Sequence, residues 1–302
     1  MGVLHERSKR LLMKRPEASA VFLDEILARK KREVARRLRH REDRARTSSA
    51  SSFDNSPAGR SSDGTSMPSA PVAPLQASDV LTRLRRPPGA QLRVVAEIKF
   101  RSPSAGEIRR RLPGSIVNLT RSYTEGGAAA ISVLADGPGF GGTPLDLRRA
   151  AGATSLPLLF KEFVLSPVQV ELAASMGASM VLLLVRAIPV SLLHELCACV
   201  RSFGMEPVVE AADRRELEAA LRTEAELIGI NARDLQTFSV DLDLAAEALE
   251  TLDESRIAIF MSGVRSAQDF ERIAQTRADA VLIGEGLMRA EDPGARLQRW
   301  LA

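Results

Sequence analysis

Residues 94–99 read Val-Val-Ala-Glu-Ile-Lys, a short apolar run with a charged end. The same pattern recurs along the chain, and this repetition indicates the fold. Eight such runs, each followed by a helical stretch, span Val94–Ile98, Ala129–Leu134, Leu156–Phe160, Met180–Val185, Pro207–Val209, Leu227–Ile230, Ile257–Phe260 and Ala280–Ile283. Continuous apolar strands that alternate with helices predict a parallel α/β sheet covered on both faces. Eight units in roughly 210 residues favour a closed (β/α)8 TIM barrel, and an open doubly wound sheet is the alternative.

The segment before the barrel divides into a helix and a linker. Apolar residues between Phe22 and Leu38 recur at helical spacing among charged ones, which predicts an extra N-terminal amphipathic helix from Phe22 to about Arg46. The following stretch is rich in Ser, Pro, Gly and Ala, a composition that buries too little apolar surface to offset the entropy of ordering. The predicted organisation is a basic arm (1–46), a disordered linker (47–77) and the barrel domain (78–302).

The charge pattern limits the classes of partner. Residues 1–46 carry fifteen Lys and Arg against seven Asp and Glu, so the basic character of the chain belongs to this arm. Its acids are interleaved with its bases, and Phe22 is its single aromatic residue, which is typical of a solvated helix rather than a nucleic-acid surface. The longest apolar run, Met180–Val185, is far too short to cross a bilayer, and no signal peptide is recognisable. We therefore expect a cytoplasmic protein that binds neither nucleic acid nor membrane.

Polar side chains and glycines cluster where the predicted strands end. Active sites of TIM barrels are built at the C-terminal ends of the strands, so these residues should meet at one mouth. In strand order they are Glu97, Lys99 and Ser102 (first), Lys161, Glu162 and Phe163 (third), Glu210 (fifth), Asn231 and Arg233 (sixth), Ser262 and Gly263 (seventh), and Gly284, Glu285 and Gly286 (eighth).

Two lysines indicate acid–base chemistry. Lys99 and Lys161 are the only lysines after residue 31, although the chain carries 42 Lys plus Arg. A lysine amine can lose its proton whereas a guanidinium effectively cannot, so lysines isolated at strand ends favour proton transfer, with Glu97 and Glu210 as flanking acids. A Schiff-base role for Lys161, and a purely structural ion-pair role for the glutamates, are the alternatives. No strand end supplies a histidine, so we expect neither a metal site nor a cofactor.

Glycines after two consecutive strands predict a phosphate site. Gly263 and Gly284 would let backbone N–H groups approach an anion, and a helix that begins after each adds the positive end of its dipole. The alternative is that both are simple turn glycines.

The sequence resembles the indole-3-glycerol phosphate synthase family. The matching stretches are Ala-Glu-Ile-Lys (96–99) with Ser-Pro-Ser (102–104), Glu-Gly-Gly-Ala-Ala-Ala-Ile-Ser-Val-Leu (125–134), Ile-Gly-Ile-Asn-Ala-Arg-Asp-Leu (228–235) and Gly-Glu-Gly-Leu-Met-Arg (284–289). Residues 22–34 are also similar to the extra helix that precedes the barrel in this family. The resemblance implies a carboxy-lyase of tryptophan biosynthesis that closes an indole ring on 1-(2-carboxyphenylamino)-1-deoxyribulose 5-phosphate, with loss of carbon dioxide and water.

The resemblance also implies roles for particular residues. Lys161 matches the lysine that protonates the substrate carbonyl during ring closure, and Glu210 matches the glutamate that assists dehydration. Lys99 matches a lysine that contacts the substrate and assists proton transfer, while Glu97 and Asn231 match orienting partners. The implied substrate-binding residues are Ser262, Gly263, Gly284 and Gly286 for the phosphate, Phe140, Phe163 and Leu182 for the anthranilate ring, and Ser102 and Arg233 elsewhere on the rim. No cofactor is implied, and association with other tryptophan-pathway enzymes is expected.

One departure from the family stands beside these residues. The family's seventh strand end reads Ala-Glu-Ser-Gly, whereas residues 260–263 here read Phe-Met-Ser-Gly, so Met261 stands where a glutamate is expected. This leaves two alternative hypotheses: a divergent paralogue with an altered substrate or reduced activity, and a non-catalytic barrel that binds a sugar phosphate.

Overall fold

Eight parallel strands close into a barrel in the computed structural model, which describes residues 17–50, 77–234 and 238–302. The strands are β1 (Arg93–Ile98), β2 (Ala130–Leu134), β3 (Leu158–Lys161), β4 (Met180–Leu184), β5 (Glu206–Ala211), β6 (Leu227–Asn231), β7 (Ile257–Met261) and β8 (Ala280–Ile283). Each pairs with its neighbours in sequence, and β1 closes the ring by pairing with both β2 and β8. The predicted TIM barrel is therefore confirmed, and the open sheet is excluded.

Helices surround the barrel and precede it. They are α1 (Glu17–Ala50), α2 (Ala77–Leu84), α3 (Ser115–Glu125), α4 (Gly137–Phe140), α5 (Pro144–Ala151), α6 (Pro167–Ser175), α7 (Val190–Ser202), α8 (Arg214–Leu221), α9 (Leu242–Glu250), α10 (Ala267–Ala274), α11 (Glu285–Met288) and α12 (Pro293–Leu301). Sequence signals fix several helix starts, such as the Ser266–Asp269 capping box of α10. Within the described ranges, every helix is too short or too polar to span a bilayer.

Strand alternation decides which side chains enter the barrel. Successive residues of a strand point to opposite faces, and in β1 Val95 packs in the interior while Val94 and Ala96 pack under the helices. The same period of two carries Glu97 to the interior face, one layer nearer the C-terminal end. At the opposite end, α2 closes the barrel because Val80 and Leu84 are fully buried against the interior cluster.

The N-terminal helix is longer than the sequence predicted. It spans Glu17–Ala50, so it includes residues 47–50, which the sequence analysis placed in the linker. The remainder of the predicted linker up to residue 76 lies outside the described residues. The helix packs against α6, and an exposed ion pair joins Arg41 to Glu171 at 2.7 Å.

Candidate active site

A cavity lies at the C-terminal ends of the strands, and all but one of the predicted site residues line it. These are Glu97, Lys99, Ser102, Phe140, Lys161, Phe163, Leu182, Glu210, Asn231, Arg233, Ser262, Gly263 and Gly284. The exception is Gly286. A Cβ added there would lie 2.8 Å from the carbonyl oxygen of Val264 and 3.2 Å from the ring of Trp300, so Gly286 faces packed protein instead of the cavity.

A chain of polar contacts connects β3, β5 and β6. The Nζ of Lys161 lies 2.7 Å from Oε2 of Glu210, and the amide of Asn231 donates to Oε1 of the same carboxylate at 2.7 Å. The backbone N–H of Arg233 donates to the other end of the Asn231 amide at 2.9 Å, which fixes its orientation. Burial raises the pKa of Glu210, but the Lys161 charge and the hydrogen bonds from Lys161 and Asn231 outweigh burial and hold this pKa below its usual range. Glu210 is therefore an ionised carboxylate held against an ammonium.

A second lysine–glutamate pair lies at the end of β1. The Nζ of Lys99 is 2.7 Å from Oε1 of Glu97, and the hydroxyl of Ser132 is 3.4 Å from Oε2. Glycine at position 284 leaves room for this pair, because an added Cβ would lie 2.6 Å from Oε1 of Glu97 and 3.1 Å from Nζ of Lys99 and would displace these side chains. From the sequence, Gly284 was predicted to belong to a phosphate site. In the structure Gly284 also makes room for the Lys99–Glu97 pair.

Met261 occupies the floor of the cavity beside Lys161. Its Sδ lies 4.0 Å from Nζ of Lys161, and the side chain is almost fully buried. It packs over Gly229 of β6, where an added Cβ would fall 2.4 Å from Cε of Met261. An uncharged thioether therefore fills the space between β6 and Lys161.

The rim after β7 and β8 suits an anion. Ser262 and Gly263 both have left-handed backbone conformations, with φ of 70° and 87°, and a non-glycine residue rarely adopts this region outside strained functional loops. Arg233 and Arg265 both line the cavity here. Burial and the neighbouring Arg265 lower the pKa of Arg233, and Glu285 opposes the effect, yet a guanidinium stays charged. The sequence analysis did not single out Arg265, because it follows the strand end by four residues.

Apolar side chains form one wall of the cavity. The rings of Phe140 and Phe163 lie 6.2 Å apart between centroids and are tilted by 40°. Leu182 of β4 lies deeper, and Leu23 and Ile26 of α1 complete the lining. The N-terminal helix thus contributes directly to the cavity.

Lys30 is a buried charged residue beside the cavity that sequence reasoning did not single out. It is almost fully buried and contacts Glu162 and Asp136 on the barrel rim. Burial raises the pKa of Glu162 to about 7, because this effect and the charge of Asp136 outweigh the opposing Lys30 charge. The signal was present: Lys30 lies four residues after Ile26 and four before Val34, both buried, and so belongs to the apolar face of the helix.

Comparisons with known sequences give one family for this chain. The family model for indole-3-glycerol phosphate synthase matches residues 65–300. A protein named indole-3-glycerol phosphate synthase 2 from Streptomyces coelicolor is 42% identical over 222 residues, covering 74% of this chain and 84% of the relative. Indole-3-glycerol phosphate synthases from Desulfosudis oleivorans and Mycobacterium ulcerans are each 42% identical, covering 69% and 72% of this chain and 78% of each relative.

Solved structures of lower identity share the fold alone. Thiamine phosphate pyrophosphorylase from Pyrococcus furiosus is 16% identical, with a TM-score of 0.51 over 70% of this chain and 93% of that one. The N-acetylmannosamine-6-phosphate 2-epimerase from Clostridium perfringens is 15% identical, with the same TM-score over 70% of this chain and 91% of that one. With the family model spanning most of the barrel and relatives at 42% identity, the chain belongs to the indole-3-glycerol phosphate synthase family, the TIM-barrel carboxy-lyases of tryptophan biosynthesis.

Proposed function

We propose that this chain converts 1-(2-carboxyphenylamino)-1-deoxyribulose 5-phosphate into indole-3-glycerol phosphate, carbon dioxide and water. The observation that carries the proposal is the pair of lysine–glutamate contacts at one mouth, Lys161 with Glu210 and Lys99 with Glu97, each at 2.7 Å. Ring closure, decarboxylation and dehydration need a proton donor, a proton acceptor and an anchor for the phosphate. The cavity supplies charged groups for the first two and an arginine-bearing rim for the third.

Lys161 acts as the general acid in this proposal. Its Nζ is held in contact with the Glu210 carboxylate, and in this position the amine can protonate the carbonyl under attack by the aromatic ring. A Schiff base would need the neutral amine, which the contact with Glu210 disfavours. Glu210 is ionised and can accept a proton during dehydration, while Asn231 keeps its carboxylate aligned.

Lys99 contacts the substrate and assists proton transfer, with Glu97 as its orienting partner. The substrate's aromatic ring packs against Phe140, Phe163 and Leu182. These side chains form the apolar wall of the cavity, which shields the ring from water. The phosphate binds at the opposite rim. Its proposed ligands are the Ser262–Gly263 turn, Gly284 and Gly286, although the cavity lining does not include Gly286. Arg233 lies on the same rim, and Ser102 lines the cavity at the end of β1.

A direct assay tests this function. Purified full-length protein should release one carbon dioxide per indole-3-glycerol phosphate formed, and its gene should restore growth of a tryptophan auxotroph that lacks this step. A protein that binds the substrate without releasing carbon dioxide would instead be a sugar-phosphate-binding barrel, and the catalytic proposal would fail.

Met261 favours a second candidate, a divergent paralogue with an altered substrate or reduced activity. The thioether leaves Lys161 with a single carboxylate contact among the described residues. A panel of ring-substituted carboxyphenylamino substrates separates the two candidates. The main proposal expects the unsubstituted compound to have the highest kcat/KM.

We also propose that the reaction takes place in the cytoplasm and that the chain associates with other enzymes of tryptophan biosynthesis. The substrate and product support this proposal, because they are phosphorylated small molecules that pass between consecutive enzymes. Co-purification of pathway enzymes with the tagged full-length chain tests the association, and their absence from the purified material would count against it.

A further inference from the structure

A buried lysine joins α1 to the rim of the barrel. The side chain of Lys30 is 3% exposed, and its Nζ lies 2.7 Å from Oε2 of Glu162, 3.0 Å from Oδ1 of Asp136 and 3.1 Å from Oε2 of Glu33. Burial acts to lower the pKa of Lys30, but the charges and hydrogen bonds of Glu162 and Asp136 outweigh it and raise this pKa. Lys30 is therefore a permanent cation, and we call these four residues the Lys30 cluster.

The two barrel carboxylates of the Lys30 cluster also hold the backbone beside the two rings of the cavity. Oε1 of Glu162 accepts a hydrogen bond from the backbone N–H of Phe163 at 2.8 Å. Oδ2 of Asp136 accepts one at 2.8 Å from a backbone N–H of α4, the short helix that carries Phe140. One ammonium is thus connected, through one carboxylate each, to both ring-bearing segments.

The same lysine lies on the face of α1 that completes the wall. Leu23 and Ile26 line the cavity, and Lys30 follows Ile26 by one helical turn on the same side. Arg29 adds a second contact, with an N–O distance of 2.9 Å to Asp136. Among the side chains of α1 that the structure describes, Leu23, Ile26 and Val34 are the buried residues besides Lys30, so the contacts of Lys30 and Arg29 help to fix the helix on the mouth.

We propose that Lys30 is a positioning residue, which holds α1 and the Phe140 and Phe163 segments together as one wall for the substrate's aromatic ring. This rests on the proposed function, since the ring in question belongs to the carboxyphenylamino substrate. Lys30 does not line the cavity and so acts through Glu162 and Asp136. Loss of its charge leaves these two carboxylates without their shared cation, and the wall loses its common anchor.

The experiment compares three full-length variants with the parent protein. Lys30→Met removes the ammonium but keeps the apolar stem, Glu162→Gln removes one carboxylate with little change of shape, and Lys31→Met is the matched control on the exposed side of the same helix. Steady-state KM and kcat are measured for the carboxyphenylamino substrate. Amide hydrogen exchange is followed along residues 23–34 without substrate.

The expected result is a split between KM and kcat. Lys30→Met should raise KM by about tenfold while kcat falls less than about threefold, because the wall is lost and the reacting groups remain. Glu162→Gln should raise KM in the same direction, exchange in α1 should accelerate in both, and Lys31→Met should match the parent. A lysine that only stabilises the fold would reduce the active fraction, and therefore kcat, with KM unchanged.

Two outcomes overturn the proposal: a KM for Lys30→Met within twofold of the parent, or unchanged exchange in α1. If Lys30→Met does not fold, the KM and exchange of Glu162→Gln decide. A parent protein without turnover refutes the proposed function, whereas the exchange measurement still decides whether the Lys30 cluster holds α1.

Discussion

The Sδ atom of Met261 lies 4.0 Å from the Nζ of Lys161, on the floor of a cavity where Glu210 approaches the same ammonium at 2.7 Å. Within the part of the chain that the structure describes, the amine that we assign to proton donation therefore has one carboxylate partner and one thioether neighbour. Gly229 completes the arrangement, since a larger residue there would collide with the methionine. Among the described residues, Glu210 is therefore the carboxylate on which the proposed role of Lys161 depends.

Replacement of Met261 by glutamate tests whether the methionine lowers the activity of the site. We expect Met261→Glu to raise kcat/KM by less than about tenfold, because Glu210 already pairs with Lys161 and a second buried carboxylate brings its own desolvation penalty. Met261→Gln is the control of similar shape without the charge. A gain well above tenfold in the glutamate variant alone would identify the chain as a divergent paralogue.

Glu210→Gln should lower kcat by about 100-fold or more, because the variant loses both the proton acceptor and the ion pair that positions Lys161. The pKa of Glu210 lies below its usual range, so its carboxylate remains ionised near neutral pH. We therefore expect no change of kcat from the titration of Glu210 in that pH range. The same depressed pKa gives stability that is present above the unfolded value and is lost as the pH falls. A pH profile of kcat for both proteins checks this. A variant with more than a tenth of the parental kcat would contradict the role.

Much of this site could be predicted because strand alternation is a local rule. The period of two places Glu97, Lys161 and Glu210 on the interior face at the C-terminal ends, so their meeting follows from the barrel alone. The predicted fifth strand, Pro207–Val209, was shorter than the observed β5. The prediction left Glu206 and Glu210 outside the strand as polar residues, but both are buried within it. The predicted phosphate role of Gly286 stays a prediction, although its missing Cβ faces Val264 and Trp300.

The contacts of the Lys30 cluster were not predicted from the sequence for a different reason. Lys30 and Glu162 are 132 residues apart, and the contact exists only because α1 returns over the mouth. A helix rich in charges is usually solvated, so a single buried ammonium in it has no compositional signature. Its position on the apolar face was the available signal.

Gly284→Ala should reduce kcat/KM by about tenfold or more while the protein stays folded, because the added methyl would lie 2.6 Å from Oε1 of Glu97 and must displace the Lys99 pair. Gly152→Ala is the control, since its Cβ would have no neighbour closer than 3.7 Å. Kinetics and circular dichroism on both variants provide the measurement. Parental activity in Gly284→Ala would show that the Lys99–Glu97 geometry is unimportant.

The raised pKa of Glu162 predicts a pH dependence of stability. Its folded pKa of about 7 exceeds the ordinary value of 4.5, so its contribution is fully present below pH 4.5 and is lost as the pH rises through about 7. The free energy of unfolding of the parent, relative to Glu162→Gln, should fall by about 3 kcal/mol between pH 4.5 and pH 8. Urea denaturation at both pH values measures the difference. A constant difference would mean that Glu162 does not titrate in this range.

The turnover of Lys161→Ala decides whether Lys161 is the proton donor. Lys161 is 2.7 Å from an ionised Glu210 and is the assigned proton donor, so the parent protein should form indole-3-glycerol phosphate while Lys161→Ala should lose about 100-fold or more in kcat. The variant should retain the parental circular dichroism spectrum. Turnover that is unaffected by Lys161→Ala would contradict the mechanism.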